Sequence, residues 1–314
     1  MSATDERAAK KAAKNPSLRH RVEYALYLVL RALARLLGDR GLEAFGAMVA
    51  AGAHGLVKRR TQLAMDNLAM VYPHLSESER DRIIRACWRH YATESIRYVR
   101  DSGVGFDEIS TKFTLDGREH MEHAISSGRG VILISAHFGA WENALSVLGQ
   151  FGRKVVMVGR VLDNPLLHRR LHEGRTRSGF ELLDRRAAAR ELVRALHDKA
   201  IVVLLVDQAV REREGSIVPF LGHDAWTTTS PARLAIKYGC PMLSVFCYPA
   251  TAERSEHCEF NPVFRTEGLD EAGIMKLANE EIGRHVEKDP HLWLWFHDRW
   301  KGVPRTGATA DERS

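Results

Sequence analysis

Apolar residues keep a helical spacing as far as Arg100, and from Phe113 onward they gather into short unbroken runs divided by glycine and polar residues. The first half of that pattern predicts helices. Val22 to Leu37 is rich in Leu, Val and Tyr but carries Arg31 and Arg35 and is shorter than the roughly 20 residues a bilayer span needs. It resembles an interfacial helix, with the two arginines on one face among anionic head groups, and a helix covering the core with those arginines in solvent fits equally well. Gly41 to Val57 is also apolar and runs into Lys58-Arg59-Arg60, a basic cluster suited to a membrane surface. Its glycines and Glu43 speak against spanning. Tyr72-Pro73 is a break, and Ser76 with Glu79 forms the capping box of a helix from about Glu77 to Arg100, with Ile83, Ile84, Cys87, Trp88, Tyr91, Ile96 and Tyr98 as buried candidates.

The second half predicts alternating strands and helices. Val131 to Ser135, Val155 to Gly159, Glu181 to Leu183, Ile201 to Val206 and Met242 to Tyr248 read as strands. Trp141 to Leu148, Pro165 to Arg177, Ala187 to His197 and Pro231 to Tyr238, the last with Ser230 as its cap, read as helices, and a final helix from Asp270 to Glu287 precedes Pro290. Such alternation is the signature of an α/β sheet. The expected organisation is a basic tail over residues 1–17, a membrane-associating helical region over 18–110, an α/β core over 111–303 and a polar tail over 304–314.

Composition narrows the function classes. Lys and Arg exceed Asp and Glu by 46 to 40, a net charge of +6 that suits phospholipid head groups, phosphorylated sugars or an acidic carrier protein. It would suit nucleic acid as well. Cys87, Cys240, Cys247 and Cys258 form no C-x-x-C pair, and together with the lack of a cleavable signal segment this points to structural thiols in a reducing, cytosol-facing protein.

The chemistry concentrates in G-V-I-L-I-S-A-H-F-G-A-W-E-N-A, from Gly130 to Ala144. A histidine followed five positions later by an acid occurs three times, as His74/Glu79, His137/Glu142 and His168/Glu173. In an unbroken helix such residues stand roughly 140° apart around the axis, so a working pair needs a bend between them. The first belongs to the capping box, and the third lies in one helix without a turn residue. Only the second has the bend, at Gly139, with His137 at the carboxyl end of a strand, where open α/β sheets place ligands. A neutral imidazole there can take a proton from a hydroxyl if a carboxylate holds its other nitrogen, and Glu142 is the expected orienting carboxylate. A buried histidine bonded to backbone at a strand end accounts for the local pattern equally well.

Further clusters follow at strand ends and loops: Arg160-Val161-Leu162-Asp163-Asn164-Pro165, Gly174-Arg175-Thr176-Arg177, Val206-Asp207-Gln208 with the later Val218-Pro219-Phe220-Leu221-Gly222, Ser230-Pro231-Ala232-Arg233-Leu234-Ala235, and Trp293 to Lys301. Taken in order, H-F-G-x-W-E, R-x-x-D-N-P, G-R-x-R, D-Q with V-P-F-x-G, S-P-A-R-L-A and W-x-W-x-H-x-R-W-K resemble the bacterial lipid A late acyltransferase family. These lauroyl and myristoyl transferases belong to a wider lysophospholipid acyltransferase-like group built around His-x4-Asp/Glu, and the resemblance covers roughly Leu18 to Lys301. It implies one glycerol-3-phosphate-acyltransferase-like α/β domain with a mixed, mostly parallel sheet, at the cytoplasmic face of the bacterial inner membrane. It also implies transfer of an acyl chain from acyl carrier protein, or a coenzyme A thioester, to a hydroxyl of a lipid A precursor, without cofactor, metal or nucleic acid. His137 would be the general base and Glu142 its partner. Arg160, Arg175, Asp207, Gln208 and Arg233 would bind substrate. Backbone N–H groups near Gly139 and Ala140, or an arginine, would steady the oxyanion. Ala140 stands where the family often has Asn, and the arginines in the N-terminal apolar segment favour peripheral attachment to the membrane.

Three other readings compete. The same chemistry on another lipid acceptor (a lysophospholipid, a mannosylated phosphoinositide or an aminolipid) is the nearest. A metal hydrolase lacks H-E-x-x-H or clustered ligands to support it. A basic, non-catalytic module that binds membranes or nucleic acid is the third.

Overall fold

The computed structural model describes residues 16–303 apart from 103, 160–161, 178–179, 185–187 and 252–253, and at 106–107, 143–144, 172 and 174–177 it describes the backbone alone. Of the tails expected at residues 1–17 and 304–314, all but Pro16 and Ser17 lie outside the described residues, and Ser17 is the N-cap of the first helix. Four helices come first: α1 (Leu18–Leu36), α2 (Gly38–Leu56), α3 (Lys58–Val71) and α4 (Glu77–Asp101). The Ser76–Glu79 capping box is present in full, which accounts for Glu79 without a catalytic role. Helix α2 lies close against α4: a Cβ on Gly46 would stand 2.2 Å from Thr93 Oγ1, so only hydrogen fits there.

Helix α1 turns the expected face around. Arg31 Nε donates to the Ser102 carbonyl at 3.1 Å and Arg35 Nε to that of Arg100 at 3.4 Å, so both arginines bind the C-terminal carbonyls of α4, where the helix dipole favours cations. Tyr27 and Ala34 are buried on the same side. The outward positions are apolar instead: Leu18, Val22, Leu26, Val29, Leu33 and Leu36 are all exposed, Leu26 at 65% and Leu36 at 83%.

After α5 (Phe106–Ser110) the chain builds β1 (Thr114–Asp116), α6 (Arg118–Ser126), β2 (Val131–Ser135), α7 (Trp141–Ala144) running into a 3₁₀ segment (Leu145–Phe151), β3 (Val155–Gly159), α8 (Pro165–Arg177), β4 (Phe180–Asp184), α9 (Ala188–His197) and β5 (Ile201–Leu205). A hairpin of β6 (Gly215–Phe220) and β7 (His223–Thr228) follows, then α10 (Ser230–Tyr238), β8 (Met242–Tyr248), β9 (His257–Phe260) and α11 (Glu271–Lys288). The N-cap position of α10 is Thr229, one residue earlier than the Ser230 the sequence reading chose; Ser230 is the first helical residue, and the Thr229 side chain makes no capping bond. The helix expected over Trp141 to Leu148 keeps α geometry only to Ala144 and then tightens.

The main sheet has the order β1-β9-β8-β2-β5-β3-β4, parallel throughout except between β8 and β9. It is the mixed, mostly parallel α/β sheet expected. Strand β2 is buried at all five positions, as a central parallel strand covered on both faces should be. Alternation sorts its residues: Ile132 and Ile134 join one core with Ile84, Leu196, Ala235 and Ile282, while Val131 and Leu133 join the other with Ile109, Met121 and Leu148. Two apolar layers thus fix β2 and β5 rigidly, and the chain reverses direction along the sheet between them. The carboxyl ends of that pair hold the site.

Candidate active site

Strands β2 and β5 pair in parallel with Ser135 opposite Leu205. Each chain continues two residues beyond that pair, to His137 and to Asp207. The matched register delivers their side chains to each other: His137 Nδ1 lies 2.9 Å from Asp207 Oδ1, and the His137 backbone N–H donates to Oδ2 at 3.0 Å. Trp293 Nε1 also donates to Oδ2, at 3.0 Å. With Asp207 only 2% exposed, these bonds are what allow a charged carboxylate in a dry site. Burial drives its pKa up, but the charge and hydrogen bonds of His137 and the Trp293 indole outweigh burial, and the net shift is downward.

The orienting carboxylate of His137 is therefore Asp207 in this structure, where sequence reasoning expected Glu142. Glu142 lies in α7, beyond the turn at Gly139, and acts on the imidazole through its charge. Burial lowers the pKa of His137; Asp207, by charge and hydrogen bond, and Glu142, by charge, more than reverse this and raise it. Since a carboxylate accepts at Nδ1, the neutral ring carries its proton there, and Nε2 presents a lone pair. The side chain keeps 20% exposure, and the Trp141 ring packs against it in a T-shaped arrangement with centroids 5.0 Å apart.

The turn is locked from several directions. Gly139 has φ +58°, and a Cβ there would stand 1.8 Å from the Cys247 carbonyl oxygen. Its N–H donates to Leu292 O at 2.9 Å and that of Ala140 to Cys247 O at 3.0 Å. Both groups expected to steady an oxyanion are thus consumed in anchoring the turn to β8 and to the 3₁₀ segment Pro290–Leu292. From α4, the Tyr91 hydroxyl donates to the His137 carbonyl at 2.5 Å. Tyr91, which the sequence marked only as a buried candidate, and Trp293, from the last of the sequence clusters, hold the imidazole and its carboxylate.

Beyond the pair, Gln208 comes with Asp207, its Nε2 3.4 Å from His137 Nε2. Arg233 goes elsewhere: it forms a two-pronged pair with Glu271 at 3.0 Å on each arm, and its side chain is 64% exposed. Arg160 lies outside the described residues, and Arg175 is described only as backbone within α8. Asn164, from the same motif as Arg160, caps α8 through Oδ1 and reaches α1 through Nδ2, bonding His20 O and Glu23 Oε2 at 2.9 Å. His297 accepts the Ala209 N–H through Nε2 at 3.2 Å. The four cysteines are buried, and none is in a disulfide. Among the described residues no group of His, Cys, Asp and Glu is placed to hold a metal ion.

A mostly parallel sheet with a carboxylate-oriented imidazole at its strand ends, the outer nitrogen carrying a lone pair that can take a proton from a hydroxyl, is equipped for group transfer to an alcohol. Residues 11–302 match the model of the bacterial lipid A biosynthesis acyltransferases, and the chain belongs to that family. The Escherichia coli lipid A palmitoleoyltransferase is 24% identical over 82% of this chain and 84% of its own length, and the E. coli lauroyltransferase 25% over 79% and 81%. A phosphatidylinositol mannoside acyltransferase of Mycolicibacterium smegmatis is 27% identical over 74% and 77%. The protein is an acyltransferase.

Proposed function

We propose that the protein moves a fatty acyl chain from the thioester of acyl carrier protein to a hydroxyl of a lipid A precursor. The acceptor oxygen attacks the thioester carbonyl as its proton passes to His137 Nε2. The tetrahedral intermediate then expels the carrier's sulfur, which recovers a proton from the imidazolium, and no acyl-enzyme forms. Asp207 holds the ring's tautomer and offsets its transient charge, and Glu142 adds to that field. With the Gly139 and Ala140 amides occupied, the oxyanion falls to an arginine, and Arg175 is the motif's choice.

The observation that carries this reading is the Nδ1–Asp207 bond, because it leaves Nε2 as a base rather than a donor. No helix among the described residues is long and apolar enough to cross a membrane. The outward leucines of α1, with Met48 at 62% and Leu56 at 87% on α2, support attachment at a bilayer surface; a carrier-protein thioester as donor would make it the cytoplasmic one. The mycobacterial relative supports a second acceptor, a mannosylated phosphoinositide. Mass spectrometry of lipids from a deletion strain tests the proposal. A glycolipid lighter by one acyl chain, restored by the wild-type gene but not by His137→Ala, is expected. An unchanged lipid profile, together with no transfer in vitro from acyl carrier protein to either acceptor, overturns it.

A further inference from the structure

The outer nitrogen of His137 is covered by a neighbouring side chain. Gln208 Nε2 faces it at 3.4 Å, and the fixed tautomer settles which end of the carboxamide points there: the amide has hydrogens to give to the lone pair, whereas the carbonyl oxygen would repel it. Gln208 does not reach this position by chance of rotamer alone. The next residue, Ala209, donates its N–H to His297 Nε2 at 3.2 Å, and the main chain of His297 is in turn held by buried Asn67, whose Nδ2 bonds the His297 carbonyl at 3.0 Å and that of Trp295 at 2.9 Å. A ring nitrogen that accepts an N–H must be unprotonated. Burial keeps the His297 ring in that form by lowering its pKa, with the charges of Lys301, His137 and Arg299 acting the same way against Asp207.

We propose that Gln208 orients the acceptor hydroxyl and, in its absence, plugs the base against water, with His297 as the positioning residue that holds the Asp207-Gln208-Ala209 turn. This rests on the acyl-transfer reading and gives it a means of choosing glycolipid over solvent. A hydroxyl oxygen seated between the two nitrogens donates its hydrogen to His137 Nε2, accepts one from Gln208 Nε2, and keeps a lone pair for the thioester carbonyl. A water molecule fits the same place but has nothing else to hold it, so it competes poorly with the carboxamide for the histidine. The acceptor brings binding contacts from the rest of its headgroup and displaces the plug.

The test uses the purified full chain with dodecanoyl-acyl carrier protein and a detergent-dispersed disaccharide lipid A precursor, measuring both acylated product and free dodecanoate. Gln208→Met keeps the length and loses the hydrogen bonds. It is expected to raise the ratio of hydrolysis to transfer by about tenfold, the worth of one hydrogen bond, and to raise KM for the acceptor but not for the thioester. His297→Ala should move the ratio in the same direction, and His297→Gln, whose carbonyl can accept the Ala209 N–H, should restore part of it. If Gln208→Met leaves both the ratio and the acceptor KM unchanged while His137→Ala abolishes turnover, this inference is wrong and the acyl-transfer reading stands. If His137→Ala is itself as active as the parent, both fall.

Discussion

At the scale of residues the site depends on a charge balance that pH should expose. In the proposed mechanism His137 is a base only when neutral, and its pKa is raised, so the acid limb of kcat/KM is expected above the ordinary histidine value of about 6.5. Removing a negative neighbour lowers that pKa and moves the limb toward acid. Asp207→Asn should do so while cutting kcat by about three to four orders of magnitude, since the amide also offers the wrong hydrogen-bonding partner to Nδ1. Glu142→Gln should shift the limb in the same direction with a smaller loss, as befits action through charge. A Glu142→Gln profile superimposed on the wild type would remove Glu142 from the field of the base. Gly139→Ala should be inactive and destabilised by at least about 1–3 kcal/mol in chemical denaturation, because the side chain meets both a positive φ and the Cys247 carbonyl. The histidine, its strand end and its glycine turn were all readable in the sequence. Its true carboxylate was half readable: V-I-L-I-S-A-H and I-V-V-L-L-V-D are two apolar runs ending in a polar residue at the same offset, and parallel pairing in register makes partners of their last members. That two such runs are neighbours in the sheet is a fact of topology, and chain order places two other strands between them.

At the scale of elements, legibility followed hydrophobic contrast. The long central strands and the helices of the core announced themselves by unbroken apolar runs or by period. Strands β1, β9 and the β6–β7 hairpin did not, for T-L-D, H-C-E-F and H-D-A-W-T-T carry too few apolar positions to separate them from loops. Helix α1 was recognisable as amphipathic, yet the side facing the protein was misassigned. Composition suggested that charge goes outward, whereas Arg31 and Arg35 serve as distant caps for α4 and leave the leucines in solvent. An aliphatic side chain left in water forgoes about 1.5–3 kcal/mol of burial, and a row of them on one helix makes a case for an apolar partner. Leu26→Glu and Leu33→Glu together should therefore weaken sedimentation with phospholipid vesicles while shifting thermal stability by no more than about 0.5 kcal/mol, as exposed sites do. Arg31→Ala should behave oppositely, lowering the melting temperature through the lost cap. If the glutamate pair binds vesicles as well as the parent, α1 is not the contact.

At the scale of the whole molecule, two forces would bring the chain to a bilayer, and they respond to salt differently. The net charge of +6 attracts anionic lipid over a distance that shrinks from about 10 Å in 0.1 M salt to about 3 Å in 1 M. The apolar faces of α1 and α2 act only on contact, and salt does not screen them. The two helices also connect to the chemistry, since α1 is tied by Asn164 to the start of α8, which carries Arg175, and α4 carries both the arginine-capped end and the Tyr91 that holds His137. Binding to vesicles containing an anionic lipid should accordingly fall as salt rises from about 0.1 to about 1 M and then level off above zero. Binding to purely zwitterionic vesicles should be weaker and nearly independent of salt. Complete release from anionic vesicles at high salt would assign attachment to charge alone, and the exposed leucines would then need a protein to cover them. A residual that disappears with Leu26→Glu and Leu33→Glu, but survives loss of the basic cluster Lys58-Arg59-Arg60, would separate the two contributions by element. It would also show that lipid supports the helical layer from outside while Arg31 and Arg35 tie it from within to the helix whose Tyr91 holds His137.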